Sequence, residues 1–133
     1  MRAVDTNVLV RLATQDDPRQ LAAAEAFVTG GAWVAHVVLA ELVWVLTSVY
    51  GLGASEIATA VEILLAHQDL TVQDPDVVGA ALDQYRRKPS IRFSDCLVLE
   101  IARKAGHLPL GTFDRDLAKV RGVQRIGAER LGK

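Results

Sequence analysis

Two rhythms of apolar residues alternate along this chain. Runs of strand length occur at Arg2-Ala3-Val4, Ala32-Trp33-Val34-Ala35, Leu70-Thr71-Val72, Leu108 to Thr112 and Val123 to Ile126. Between them lie longer stretches of helical composition, bounded by residues that start or stop helices. Asp5-Thr6-Asn7 caps a predicted helix over Val8 to Ala13, and Asp16-Asp17-Pro18 opens a second that runs through Leu21 to Val28 until Gly30-Gly31. Val37 to Tyr50 predicts a third, stopped by Gly51-Leu52-Gly53, and Ser55 with Glu56 opens a fourth through Leu65. Asp74-Pro75 begins a helix toward Arg86 that ends at Lys88-Pro89. Phe93 to Lys104 predicts another, closed by Gly106, and Asp114 starts a brief helix before the last strand.

Strands alternating with helices along the whole length predict the α/β class, a parallel sheet flanked by helices with right-handed crossovers. In such folds ligands gather at the carboxyl ends of the strands. At 133 residues, with no repeat or linker, residues 1–133 are expected to form one domain. Half the residues are hydrophobic and only 5% aromatic, the apolar content being mostly Ala, Val and Leu, as in helices packed on a buried parallel sheet.

The stretch from Ala32 to Tyr50 approaches the length of a membrane span, but His36 and Glu41 interrupt it. An acid at mid-bilayer costs roughly 2.5 to 3.5 kcal/mol, so a strand followed by a buried helix is the expectation. The start Met1-Arg2-Ala3-Val4-Asp5 lacks the apolar stretch of a secretory signal. The lone Cys96 has no disulfide partner and no second Cys or His at zinc-ligand spacing. A cytoplasmic protein is expected. Net charge is −1, yet residues 1–85 hold eleven acidic against three basic residues, and residues 86–133 five against twelve. That asymmetry fits a polyanionic partner, and equally a solvated face.

Chemistry is concentrated in carboxylates. Asp5 follows the first strand and Asp114 the fourth, both at the expected ligand-binding edge. Asp95 opens the apolar helix Phe93-Ser94-Asp95-Cys96-Leu97-Val98-Leu99. Taken singly, each of the three has an ordinary reading as a helix cap or dipole complement. Glu41 differs, because its helical neighbours Val37, Val38, Trp44 and Val45 are all apolar. An ionised carboxylate buried there needs pairing, a metal or a raised pKa, unless it reaches solvent or an arginine. Glu41 is therefore the strongest physical pointer of the four. Carboxylates about 4 Å apart repel by about 4 kcal/mol per pair at an effective dielectric of 20, and a divalent cation removes that penalty. Hard oxygen ligands suit one or two Mg²⁺ or Mn²⁺ ions and phosphodiester hydrolysis, whereas zinc or iron call for His or Cys ligands. Thr6, Asn7, Ser94 and Thr112 are possible hydrogen-bond supports for the acids or for a phosphate, and equally turn or cap residues. Arg86, Arg87, Lys88 and Arg92 precede Asp95, and Arg115 and Lys119 follow Asp114, as candidate phosphate contacts.

Asp5-Thr6-Asn7-Val8-Leu9, Ala40-Glu41-Leu42, Phe93-Ser94-Asp95 and Thr112-Phe113-Asp114-Arg115-Asp116-Leu117 together, in this order and over nearly the whole chain, resemble a PIN domain. More narrowly, the chain is similar to a VapC-type toxin. The resemblance implies a three-layer α/β/α domain with a central, mainly parallel sheet, Mg²⁺ or Mn²⁺ in an acidic pocket, and endoribonuclease activity on RNA. It also implies homodimerisation and inhibition by a cognate antitoxin. Carried over, Asp5 and Asp95 are the main metal ligands, Glu41 a ligand directly or through water, and Asp114 the fourth acid, with Asp116 as its alternative. A PIN-like domain that binds RNA or a protein without cleaving is the competing reading. A phosphoacceptor receiver domain also uses acids at strand ends, but it needs paired acids after the first strand, where this chain has Thr6 and Asn7.

Overall fold

A computed structural model describes residues 1–127; residues 128–133, the end of the expected domain, lie outside the described residues. Five short strands and six α-helices follow one another as β1 Arg2–Ala3, α1 Thr6–Thr14, α2 Pro18–Val28, β2 Ala32–Val34, α3 His36–Ser48, α4 Ala54–Ala66, β3 Leu70–Val72, α5 Pro75–Arg87, α6 Phe93–Ala105, β4 Leu110–Thr112 and β5 Val123–Arg125. A single 3₁₀ turn, Leu117–Lys119, separates the last two strands.

The predicted boundaries have local causes. Asp5 caps α1 by accepting from the Val8 amide at 3.2 Å, and Asp17 caps α2 by accepting from the amides of Arg19 and Gln20, with Pro18 fixing the first helical φ. The Gly53 amide donates to Glu56 Oε1 at the start of α4. Gly106 ends α6 at φ +83, a left-handed conformation that Gly adopts without penalty. The stretch of membrane-span length is β2 followed by α3. Among the described residues, no helix is long and apolar enough to cross a membrane.

Among the described residues all strand pairings are parallel, as the alternation of elements requires, and they form two ladders where one central sheet was expected. The first has the order β1-β2-β3, with Ala3 opposite Trp33 and Val34 opposite Val72; the second is β4 paired with β5, Gly111 opposite Gln124. Strands this short make few ladder bonds, so side-chain burial joins the two ladders. Leu117 and Val120 belong to the same buried cluster as Val4, Val34 and Val72, and Leu110 and Val123 pack against it.

The helix α3 lies at the centre, packed against α1 on one side and α6 on another. Its residues Leu39, Leu42, Val43 and Leu46 recur at helical spacing and are all buried. Phe93 opens α6 fully buried and meets the Tyr85 ring of α5 edge to face, centroids 5.9 Å apart. At the far end of α1, Asp16 accepts hydrogen bonds from the Thr14 and Tyr50 hydroxyls at 2.8 and 2.9 Å and from Arg11 at 2.8 Å, which ties α1 to the residue beyond the end of α3.

Two outcomes test this packing. Leu39→Ala, at a position with no exposure, is expected to lower unfolding free energy in urea by about 2 to 5 kcal/mol. Val37→Ala, at 73% exposure two residues away, should change it by less than about 0.5 kcal/mol. The hydrogen bonds from Thr14 and Tyr50, and the Arg11 charge, hold the Asp16 carboxyl below its usual range. The stability this lends is fully present above the unfolded value near pH 4 and is lost as pH falls through the lower folded value. Urea midpoints measured from pH 6 to pH 2 should therefore fall less steeply for Asp16→Asn than for the parent chain.

Candidate active site

Asp5, Asp95 and Asp114 sit at or near the start of an element, whereas Glu41 lies within α3. Asp5 follows β1 directly and its Oδ1 is engaged at the amino end of α1. The register of the ladder brings the ends of β1, β2 and β3 level: the Val4 amide donates to Trp33 O, the Gln73 amide to Val34 O, and Gln73 Oε1 accepts from the His36 amide at 2.9 Å. His36 begins α3, so Gln73 ties the amino end of that helix to the end of β3.

Asp95 stands in the first turn of α6, but it is no cap. Its carboxylate, 28% exposed, pairs with Arg92 three residues earlier, Nε to Oδ2 at 3.5 Å. Asp114 follows β4, and there its Oδ1 accepts from the amides of Asp116 and Leu117 at 2.8 and 3.0 Å. Those two amides, and then the Arg92 charge, hold the Asp114 carboxyl below its usual range. Thr112 Oγ1 accepts from the Asp114 amide at 3.0 Å, so its hydroxyl orients the backbone of this acid. Asp116 instead pairs with Lys119 at 3.7 Å. Arg92 thus pairs with Asp95, and its charge acts on Asp114 as the lesser of the influences that lower it.

Glu41 corrects the physical argument made for it. It is exposed, not buried. Of the four apolar neighbours expected to bury it, Val37 and Trp44 are in solvent at 73% and 65% exposure while Val38 and Val45 pack against the core, because the buried stripe of α3 is Leu39, Leu42, Val43 and Leu46 on another face. Its ionised form needs no compensating partner, and its apolar surround implies no metal. Among the described residues, no group of three or more His, Cys, Asp or Glu side chains stands close enough to hold a metal ion. Among the described residues the four acids are therefore not gathered into one metal-holding group.

The basic candidates divide in the same way. Arg86 pairs with Glu62 of α4 at 3.1 Å and Arg87 donates to Gln84 within α5, so both already have partners at the carboxyl end of α5. Arg92 is 81% exposed while touching Asp95, and Arg115 is exposed beside Asp114. Asn7 and Asp5 share a shallow depression between α1 and α2 with Arg11, Gln20 and Phe27. Sequence reasoning gave Arg92 no special standing among its basic neighbours, although its i,i+3 spacing from Asp95 was a usable signal. It took Trp44 for a wall around Glu41, and α3 is apolar on so many sides that its pattern could not show Trp44 to be exposed.

The family model of the PIN domain matches residues 2–123. No curated protein and no solved structure matches the chain.

Cys96, immediately after Asp95, points the other way. It is fully buried, and burial, with the charges of Asp95 and Glu100 adding to it, pushes its thiol up to about 11. The folded protein is expected to leave a disulfide reagent unreacted at pH 8 and to consume one equivalent once unfolded in guanidinium. Rapid reaction in the native state would contradict the inward register of α6.

Proposed function

Because this chain belongs to the PIN domain family, we propose that it is a Mg²⁺- or Mn²⁺-dependent endoribonuclease that hydrolyses RNA phosphodiester bonds, and the VapC-type toxin of a toxin-antitoxin pair. PIN domains are in general nucleases acting on nucleic acid, and they typically use divalent metal ions. The observation that supports the reading most is the match of the PIN family model over residues 2–123, a span that takes in all four acids.

In this proposal Asp5, Asp95, Glu41 and Asp114 hold one or two ions, with Asp116 the alternative fourth acid. The set consists of hard oxygen donors without His or Cys, which fits Mg²⁺ or Mn²⁺. Glu41 joins it by position, since Ala40 beside it lines a cleft with Arg92 and Ser94 of α6. The bound ion would supply Lewis-acid activation of a water and stabilise charge on the phosphate oxygens. The chain itself would hold and orient. Asp5 and Asp114 each spend one oxygen on backbone amides at the start of an element, which fixes the carboxylate while leaving the other oxygen available. Arg92 and Arg115 would meet backbone phosphates, with Thr6 and Asn7 as hydrogen-bond donors nearby. We further infer that the chain acts as one nuclease domain in the cytoplasm, forms a homodimer and is silenced by a cognate antitoxin.

A second reading, a PIN-like RNA- or protein-binding domain without cleavage, is favoured by one observation, the lack of a ready three-ligand metal group among the described residues. Incubation of the full chain with RNA separates the two. Cleavage should require Mg²⁺ or Mn²⁺, stop in EDTA, and fall about a hundredfold or more in Asp5→Asn and in Asp95→Asn, with circular dichroism unchanged. Cleavage that persists in EDTA and in both variants would refute the proposal, while RNA binding by the parent chain with no cleavage in either metal would establish the second reading.

A further inference from the structure

A surface cleft of about 370 Å³ runs between α3 and α6, lined among others by Val43, Trp44, Thr47, Pro89, Arg92 and Ser94. Its chemistry is mixed. Trp44 presents an indole that is 65% exposed, and Arg92, across the cleft on the loop before α6, presents a guanidinium that is 81% exposed. Thr47, Ser48, Ser90 and Ser94 add hydroxyl-bearing side chains to the lining, and the edge-to-face pair Tyr85 and Phe93 also contributes to it. A single exposed apolar side chain needs no explanation. An exposed aromatic ring and an exposed arginine lining one cleft together with hydroxyl-bearing side chains match what single-stranded nucleic acid offers: a base to stack, a sugar to bond and a phosphate to pair.

We propose that this cleft seats a nucleotide of single-stranded RNA next to the bond to be cut, Trp44 stacking on its base and Arg92 meeting its phosphate. The inference rests on the nuclease reading and gives that site a substrate class. The cleft adjoins two of the acids through the chain itself. Ala40 and Ser94 both line it, and the residues that follow them are Glu41 and Asp95. Trp44 lies one helical turn from Glu41, so both belong to the same side of α3. A duplex would not serve, because its bases are already stacked on one another and present only edges and backbone. A second copy of the chain would be drawn by the apolar side chains Val37 and Trp44 of the same helix and Val49 just past its end. The exposed arginine and the four hydroxyls favour a polyanion instead.

The test uses the full chain carrying Asp5→Asn, so that a fluorescent single-stranded RNA oligonucleotide survives in Mg²⁺, with binding read by anisotropy. Trp44→Ala is expected to weaken binding about tenfold or more, and Trp44→Phe, which keeps a stacking face, to restore most of it. Arg92→Gln should weaken binding and reduce the salt dependence of log Kd by about 0.7. Affinity for the same sequence annealed into a duplex should not depend on Trp44. Unchanged affinity of Trp44→Ala for the single strand, or no binding of single strands by the parent chain, overturns the proposal. Conversion of a dimer to a monomer by Trp44→Ala, read by sedimentation, also overturns it and assigns the face to a second copy. Trp44-dependent binding by a parent chain that cleaves nothing in Mg²⁺ or Mn²⁺ leaves the cleft standing and removes the nuclease reading alone.

Discussion

Burial of one leucine stripe on α3 fixes most of what matters for function. Leu39, Leu42, Val43 and Leu46 face inward between α1 and α6. Each such side chain contributes about 1.5 to 3 kcal/mol when removed from water, so rotation of the helix about its axis is prohibitive. That single orientation turns Trp44 and Glu41 outward, sets Ala40 and Val43 against the start of α6, and holds α1 with its Asp5 cap on the other side. The positions of three acids and of the cleft beside them follow from a contact that contains no polar group.

The strands add alignment more than strength. With only two or three residues each, β1, β2 and β3 cannot hold register by length. The register is pinned at the carboxyl ends, where the Val4 and Gln73 amides extend the ladder beyond the strands and the Gln73 side chain fastens the start of α3. The second ladder relies on the core instead: Leu117 and Val120 bury the turn that Asp114 initiates, so the carboxylate that organises the turn is placed by two apolar residues downstream of it. The cap chemistry of Asp114 and a role in a metal site are compatible, since the capping bonds described use only one of its oxygens.

Much of this was legible where local chemistry decides the outcome. Asp17-Pro18, Asp74-Pro75 and Gly106 marked boundaries within a residue or so because a cap, a fixed φ or a left-handed φ acts at one position. Asp5 and Asp114 were legible as residues following strands for the same reason. The face of α3 was not. A helix apolar at Val37, Val38, Leu39, Ala40, Leu42, Val43, Trp44 and Val45 gives no polar side from which to infer orientation. Glu41 was therefore read as buried on the composition of its neighbours, when tertiary packing had selected a different stripe. The division into two ladders was equally hidden, because backbone pairing between short strands leaves no mark on side-chain pattern. The strand expected from Leu108 begins at Leu110, the residue after Pro109, which has no amide hydrogen to donate.

Arg92 is the basic side chain that bears on two of the acids. It pairs with Asp95, and its charge adds to the two backbone amides in favouring the ionised form of Asp114. It does so weakly: a pair at 3.5 Å whose arginine is 81% exposed is worth no more than about 1 kcal/mol after screening and side-chain entropy. A weak partner is easily exchanged. A divalent cation delivers twice the charge to the same carboxylates through direct oxygen coordination, and a phosphate offers the guanidinium a bidentate partner in place of a single carboxylate oxygen. In the proposed nuclease, a metal held by the acids would free Arg92, which lines the cleft, for the phosphate of an incoming strand. One exposed arginine at the start of α6 thus connects the acids, the metal they are proposed to hold and the path of the substrate.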